Sequence, residues 1–146
     1  LSRLKSANYL ESMLAKQEAR KAGANDAIFL NEKGLLAEAS TSNIFLVIKG
    51  ILQTPRLESG ILPGITRGTV LKLASQLSIK TAEQNITSDE IFQAEEAFLT
   101  NSMLEIMPLT GVDGKTIGSG RPGSVTEKLM TAYKELVFSE TGPSGR

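Results

Sequence analysis

Apolar and polar residues alternate along this chain at two periods, which divide it into short helical and strand-like segments. Over residues 8–22, Leu10, Met13 and Leu14 share a helical face, Glu18, Arg20 and Lys21 supply charge, and Gly23 supplies a stop. Two hairpins follow. "DAIFLN" and "LLAEA" flank Glu32-Lys33-Gly34, while "NIFLVI" and "ILQT" flank the two-residue turn signal Lys49-Gly50. Val70, Leu73, Ala74 and Leu77 predict an amphipathic helix over residues 66–78. A strand over 80–84 then leads to a short helix over 87–94, opened by Thr87 and Glu90 as a capping box. "EAFLTN" and "EIMPLTGV" read as strands, and Asp113-Gly114 turns the second into "KTIG". A last helix spans 125–137, with Ser124 and Glu127 as a second capping box and Leu129, Ala132, Tyr133 and Leu136 as its buried stripe. The polar tail over 139–146, "SETGPSGR", is expected to be disordered. The succession predicts a mixed α/β (α+β) domain over residues 1–138 with a mixed, largely antiparallel sheet.

Composition narrows the chemistry. The chain has 146 residues, enough for one domain with a real core. Its 16 basic and 16 acidic residues give zero formal net charge, which argues against nucleic acid or a membrane surface as partner. No apolar run approaches the roughly 20 residues of a spanning helix. Cysteine and histidine are both absent, so there are no disulfides, no Ser-His-Asp or Cys-His nucleophile and no ordinary zinc site. Chemistry would have to come from Lys, carboxylates, Tyr, hydroxyls or a borrowed cofactor. The absence of cysteine is compatible with a cytoplasmic protein. The chain opens with Leu1 rather than Met and enters patterned sequence at once, as the carboxyl-terminal part of something longer would.

One stretch raises a specific question. "GILPGITRGTV", residues 60–70, places Gly64, Ile65 and Thr66 where a helix begins, with Arg67 behind them. Unpartnered N–H groups and the helix dipole make such a start attractive to an anion, although most such starts are ordinary capped turns. Three further segments supply groups that a phosphorylated cofactor would need. "LKSANYL" carries Lys5 and Tyr9 before and within the first helix. "LLAEASTSNIFLV" carries Glu38 at a strand end, followed by small polar residues up to Asn43. In "FLTNSMLEIMPL", Thr100, Asn101 and Ser102 interrupt a strand. Taken alone, Lys5 would be a solvated lysine, Glu38 an exposed strand end, Tyr9 a core or rim aromatic and Asn101-Ser102 a turn.

Together and in this order, the four segments resemble the class IV aminotransferases, the fold-type-IV enzymes that use pyridoxal 5′-phosphate. The resemblance runs from Lys5 to about Val137. It implies the larger, carboxyl-terminal domain of the D-amino-acid-aminotransferase-like fold, a mixed sheet or pseudo-barrel with flanking helices. It also implies a role for each match. Lys5 would form the Schiff base with the cofactor aldehyde and serve as the catalytic base. Tyr9 would hydrogen-bond the ring's phenolic oxygen, Glu38 would pair with the pyridine nitrogen, and Leu62 would pack on the ring face. Ile65 and Thr66 would form one half of a phosphate cup, and Asn101 and Ser102 the other. The resemblance further implies an amino-terminal domain absent from this chain, a homodimer, and a small-molecule amino substrate. The chain alone is expected to be inactive.

Within the family, three details favour 4-amino-4-deoxychorismate lyase, which eliminates pyruvate and leaves para-aminobenzoate. Only Ser6 and Ala7 separate Lys5 from Asn8, Thr-Asn-Ser replaces the Ser-Gly-Thr of branched-chain enzymes, and Glu38 is followed by Ala39 rather than Gly. The alternative is a branched-chain or D-amino-acid aminotransferase. Glu95-Glu96, where Asp-Glu is commoner, is a conservative departure. Outside the family, the chain could be a non-enzymatic binding module on the same fold. A nucleotide-binding domain is disfavoured by the lack of GxxxxGK[ST] and GxGxxG motifs.

Overall fold

The computed structural model describes residues 14, 17, 18, 20, 21, 26–59, 61 and 63–141. Five of these, Leu14, Gln17, Glu18, Arg20 and Lys21, are helical and exposed, within the first predicted helix. Of the three residues predicted to share its apolar face, Leu14 is exposed (52%), and Leu10 and Met13 lie outside the described residues.

Nine strands and three α-helices follow. They are β1 (Ile28–Leu30), β2 (Leu36–Ala39), β3 (Asn43–Ile48), β4 (Ile51–Pro55), α1 (Ile65–Gln76), β5 (Thr81–Gln84), α2 (Ser88–Gln93), β6 (Glu96–Asn101), β7 (Glu105–Pro108), β8 (Gly111–Val112), β9 (Lys115–Thr116) and α3 (Ser124–Thr141). Five strands form the central sheet in the order β5-β4-β3-β6-β7, with β4 and β5 parallel and the other pairs antiparallel. The sheet is thus mixed and mostly antiparallel, as the pattern predicts. The hairpin β1–β2 lies apart from that sheet, but Leu36 N–H donates to Ile86 O (2.7 Å) and Leu35 bridges Thr87, just past β5. Those contacts curl the hairpin back onto the sheet.

β3 is the centre of the molecule, and all six of its residues are buried. Because side chains alternate across a strand, it feeds two cores. Ile44, Leu46 and Ile48 join Leu36, Ile86, Ile91, Ala97, Leu99 and Ile117 on one face. Phe45 and Val47 join Leu52, Val70, Leu73, Phe98, Ile106 and Leu129 on the other, beneath α1 and α3. Phe45 opposes Phe98 across the β3–β6 ladder, and the rings stack with centroids 4.9 Å apart. Burying such a pair removes several hundred square ångströms of apolar surface from water, on the order of 150–250 Å² per ring.

Both two-residue turns form as predicted. Lys49 and Gly50 (φ 52° and 78°), like Asp113 and Gly114 (φ 51° and 77°), take the left-handed conformations that match the strand twist. The capping box before α2 also forms: Glu90 Oε1 accepts from Thr87 N–H at 2.9 Å.

Three details differ from the sequence reading. Leu77 is the C-cap of α1 and is half-exposed, because Ser78 (φ 60°) turns the chain away before the stripe is complete. The last helix runs on through Thr141, so Ser139, Glu140 and Thr141 are helical where a disordered tail was expected; residues 142–146 lie outside the description. The start of α3 is capped from a distance. The buried Glu96 carboxylate accepts from Val125 N–H (3.2 Å), Thr126 N–H (2.8 Å) and Thr126 Oγ1 (2.8 Å). A negative group there satisfies orphan donors and complements the dipole. Gly123 makes room for it, since a Cβ at that position would lie 2.0 Å from Glu96 Cδ.

Candidate functional site

The antiparallel pairing of β3 with β6 places Asn43 opposite Thr100, at the end of the sheet where β6 gives way to the turn before β7. Asn43 is buried, and the backbone at Gly64 comes so close that a Cβ there would lie 2.4 Å from Asn43 Oδ1. One residue of β3 therefore stands between the two segments read as halves of a cup. Gly64, Ile65 and Thr66 lie on one side of it and Thr100, Asn101 and Ser102 on the other.

The helix side is open to an anion. Gly64 is the N-cap, with no side-chain cap and no acidic residue in the first turn. The helix's first bond is Gly68 N–H to Gly64 O (3.2 Å), so the N–H groups of residues 65–67 lie ahead of it, where a helix has no acceptor of its own. The Ile65 side chain is 87% exposed, so its contribution to an anion site would come from the main chain. Thr66 is buried. Arg67 turns away: its Nη2 donates to Pro55 O (3.1 Å) and Glu83 Oε1 (2.7 Å), which ties α1 to β4 and β5. Its charge serves the scaffold.

On the strand side, Thr100 is 1% exposed, and its Oγ1 has no hydrogen-bond partner among the described residues. Such a buried hydroxyl costs about 1–3 kcal/mol unless something satisfies it. It lies on the face of β6 that carries Phe98, two residues back and under α1 and α3. Asn101 is partly buried and Ser102 exposed in the turn. A dianion taken up at the α1 start would meet main-chain N–H groups, no carboxylate in the first turn and an unsatisfied hydroxyl nearby. These residues suit a phosphate.

Glu38 lies in β2 opposite Phe29 of β1 and is partly buried. The loop after it is held tightly: Ser40 N–H donates to Ala27 O (3.1 Å), Ser40 Oγ bonds Asp26, and Ala39 N–H donates to Ser42 O (2.8 Å). Lys5, Tyr9 and Leu62 lie outside the described residues. The structure therefore sets the α1 start against Asn43 and Asn43 opposite Thr100, and puts Glu38 two residues before the 40–42 loop that bonds Asn101. Asn43 and Thr100 have no role in the sequence motifs, yet they sit at the junction of the two segments. Their only signal was a small or polar residue at the border of an otherwise apolar strand. Among the described residues, no cluster of His, Cys, Asp and Glu could hold a metal, and no helix is long and apolar enough to cross a membrane.

Comparison with known proteins gives the family. The family model described as amino-transferase class IV matches residues 1–112. A branched-chain-amino-acid aminotransferase of Pseudomonas aeruginosa is 47% identical over 133 residues, covering 91% of this chain and 43% of that protein. A D-alanine aminotransferase of Bacillus licheniformis is 38% identical over 138 residues, covering 94% of this chain and 48% of that protein. The crystal structure of the branched-chain amino acid aminotransferase of Thermobaculum terrenum, in its PLP holo-form, superimposes with a TM-score of 0.88 at 41% identity over 91% of this chain and 44% of that one. The chain spans less than half the length of these relatives. With the family model matched over most of its length, the chain belongs to the class IV aminotransferases, a family of pyridoxal 5′-phosphate enzymes.

Proposed function

We propose that this chain is the cofactor-holding domain of an aminotransferase that moves an amino group between a small amino acid and a 2-oxo acid. The observation that carries the cofactor reading is the convergence of an uncapped helix start and an unsatisfied Thr100 hydroxyl around Asn43. Amino transfer is favoured over pyruvate elimination by the relatives, which are named branched-chain-amino-acid and D-alanine aminotransferases. The sequence details that favour the lyase, Thr100-Asn101-Ser102 and the short Lys5–Asn8 spacer, occur here within a chain 47% identical to a branched-chain enzyme. They keep elimination as the second reading.

In this scheme the cofactor, when bound, supplies an electron sink next to the substrate α-carbon. The chain's own residues do the rest. The main-chain N–H groups of Ile65 and Thr66, with Ser102, hold the phosphate. Glu38 keeps a proton on the ring nitrogen by offering it a counter-charge, and Tyr9 and Leu62 orient the ring. Lys5 takes the proton from the substrate α-carbon, for which its amine must be neutral, a state favoured by desolvation or a cationic neighbour. In amino transfer Lys5 would return that proton two atoms further along, to the carbon beyond the substrate nitrogen; in elimination it would deliver it as pyruvate leaves.

The deciding experiment assays the intact parent protein with two substrate sets. Amino transfer from branched-chain L-amino acids or D-alanine to 2-oxoglutarate is the expected activity. Formation of para-aminobenzoate plus pyruvate from 4-amino-4-deoxychorismate, without amino transfer, would establish the lyase instead. Neither activity, with no cofactor bound, would leave a binding module on this fold.

A further inference from the structure

Asn101 resembles one of the phosphate-cup residues, yet its side chain is already fully engaged. Nδ2 donates to Thr41 O (3.2 Å) and Ser42 Oγ (2.9 Å), while Oδ1 accepts from Met103 N–H (2.9 Å) and Leu104 N–H (2.6 Å). A primary amide has two N–H donors and two acceptor lone pairs, so these four bonds exhaust it. Nothing is left with which the side chain could hold a phosphate.

The four bonds join two segments about 60 residues apart in sequence. One is the loop 40–42 that leaves the Glu38 strand; the other is the turn 102–104 that carries Ser102. The first segment has independent restraints at Asp26, Ala27 and Ala39. In the second, the main-chain N–H groups of Met103 and Leu104 both donate to Asn101 Oδ1. The β6–β7 ladder holds the ends of this turn at Asn101 and Glu105, but the side chains of Met103 and Leu104 are exposed, that of Met103 by 91%, so packing does little to fix the residues between. Loss of the amide would therefore loosen the turn and leave the loop in place.

We infer that Asn101 is a positioning residue. It is a strut that fixes the Ser102 turn against the loop following Glu38, and it sets where the turn meets the cofactor phosphate without touching that phosphate itself. The inference rests on the cofactor reading above and goes beyond it, because it removes the Asn101 side chain from the contact set and gives it a different task. A glycine at this position, as in the Ser-Gly-Thr form, could make none of the four bonds.

The test uses the intact parent protein, stripped of cofactor and titrated with pyridoxal 5′-phosphate and, separately, with pyridoxal, which lacks the phosphate. Asn101→Ala should raise the dissociation constant for pyridoxal 5′-phosphate about tenfold, the equivalent of roughly one lost net hydrogen bond. The constant for pyridoxal should change less than about twofold. Asn101→Ser is uncharged and can still accept from the Met103 N–H two residues on, but it cannot reach the 40–42 loop, so its effect should be smaller, about threefold; it also serves if the alanine variant does not fold. Ser42→Ala should show a similar small effect, and adding it to Asn101→Ala should cost nothing further, because the two side chains share one bond. Unchanged affinity for the phosphorylated cofactor in both Asn101 variants would overturn the inference. So would an equal loss for both ligands, which is what a merely structural role gives. If the unaltered protein binds neither ligand, the cofactor reading itself fails, an outcome distinct from any result on Asn101.

Discussion

The capping of α3 by Glu96 makes a quantitative prediction. In Glu96→Ala, three bonds disappear at once, and the partners left behind are Val125 N–H, Thr126 N–H and Thr126 Oγ1, with Thr126 wholly buried. Loss of an N-terminal cap costs about 1 kcal/mol. Each of the two Thr126 groups left without a partner adds about 1–1.5 kcal/mol. The expected loss is therefore about 3–4 kcal/mol, a large part of the roughly 5–15 kcal/mol that holds a domain together. Glu96→Gln keeps a carbonyl oxygen for the Thr126 pair and loses the charge and the Val125 bond, so it should cost only about 1–1.5 kcal/mol. The assay is urea unfolding followed by far-ultraviolet circular dichroism. With a slope of about 2 kcal/mol/M, Glu96→Ala should lower the midpoint by roughly 1.5–2 M at unchanged slope. Gly123→Ala tests the same geometry from the other side, because its Cβ would collide with Glu96 Cδ at 2.0 Å and push the carboxylate off the helix. Once residue 96 is alanine, that collision is gone, so the double variant should cost well under the sum of the two single ones. A Glu96→Ala variant within about 0.5 kcal/mol of the parent, or strictly additive costs, would refute the argument.

Three other outcomes follow from the site and the core. Lys5→Ala should abolish turnover in the intact parent, measured by product formation from either substrate set; undiminished activity would rule the scheme out. Gly64→Ala, whose Cβ would lie 2.4 Å from Asn43 Oδ1, should displace the α1 start and weaken binding of pyridoxal 5′-phosphate at least about tenfold in a fluorescence titration, with little change in helix content. Phe45→Ala should destabilise the fold by about 3–5 kcal/mol in the same urea assay, since the ring is fully buried and stacked on Phe98.

What could be read from the sequence is what depends on neighbours. Lys49-Gly50 and Asp113-Gly114 announce their hairpins because left-handed backbone at both turn positions is a local demand. Thr87 and Glu90 announce α2 because the capping box closes within four residues. The same signal misled at Ser124 and Glu127: the spacing is right, but the donors are satisfied by Glu96, 29 and 30 residues away, and no local pattern records that. The parallel placement of β5 beside β4 was equally hidden, since a polar strand of four residues does not say which edge it will take.

The candidate site belongs with the hidden features. Resemblance singles out Ile65, Thr66, Asn101 and Ser102, but a register places the strand end that precedes Asn101 and Ser102 opposite Asn43, against which the α1 start packs. Asn43 faces Thr100 because β3 and β6 pair as they do, and that pairing is itself enforced by the two cores the strands divide. A slip of one residue along β6 would turn Thr100 and Phe98 to the opposite face and bring Leu99 under α1. The stack of Phe45 on Phe98 would be lost in the same movement, as would the reach of Glu96 to α3. The contacts that stabilise the domain and the one that spaces the two halves of the cup thus depend on a single alignment. The cup can therefore consist of small and polar residues that contribute little to folding, because the apolar residues between them fix its geometry.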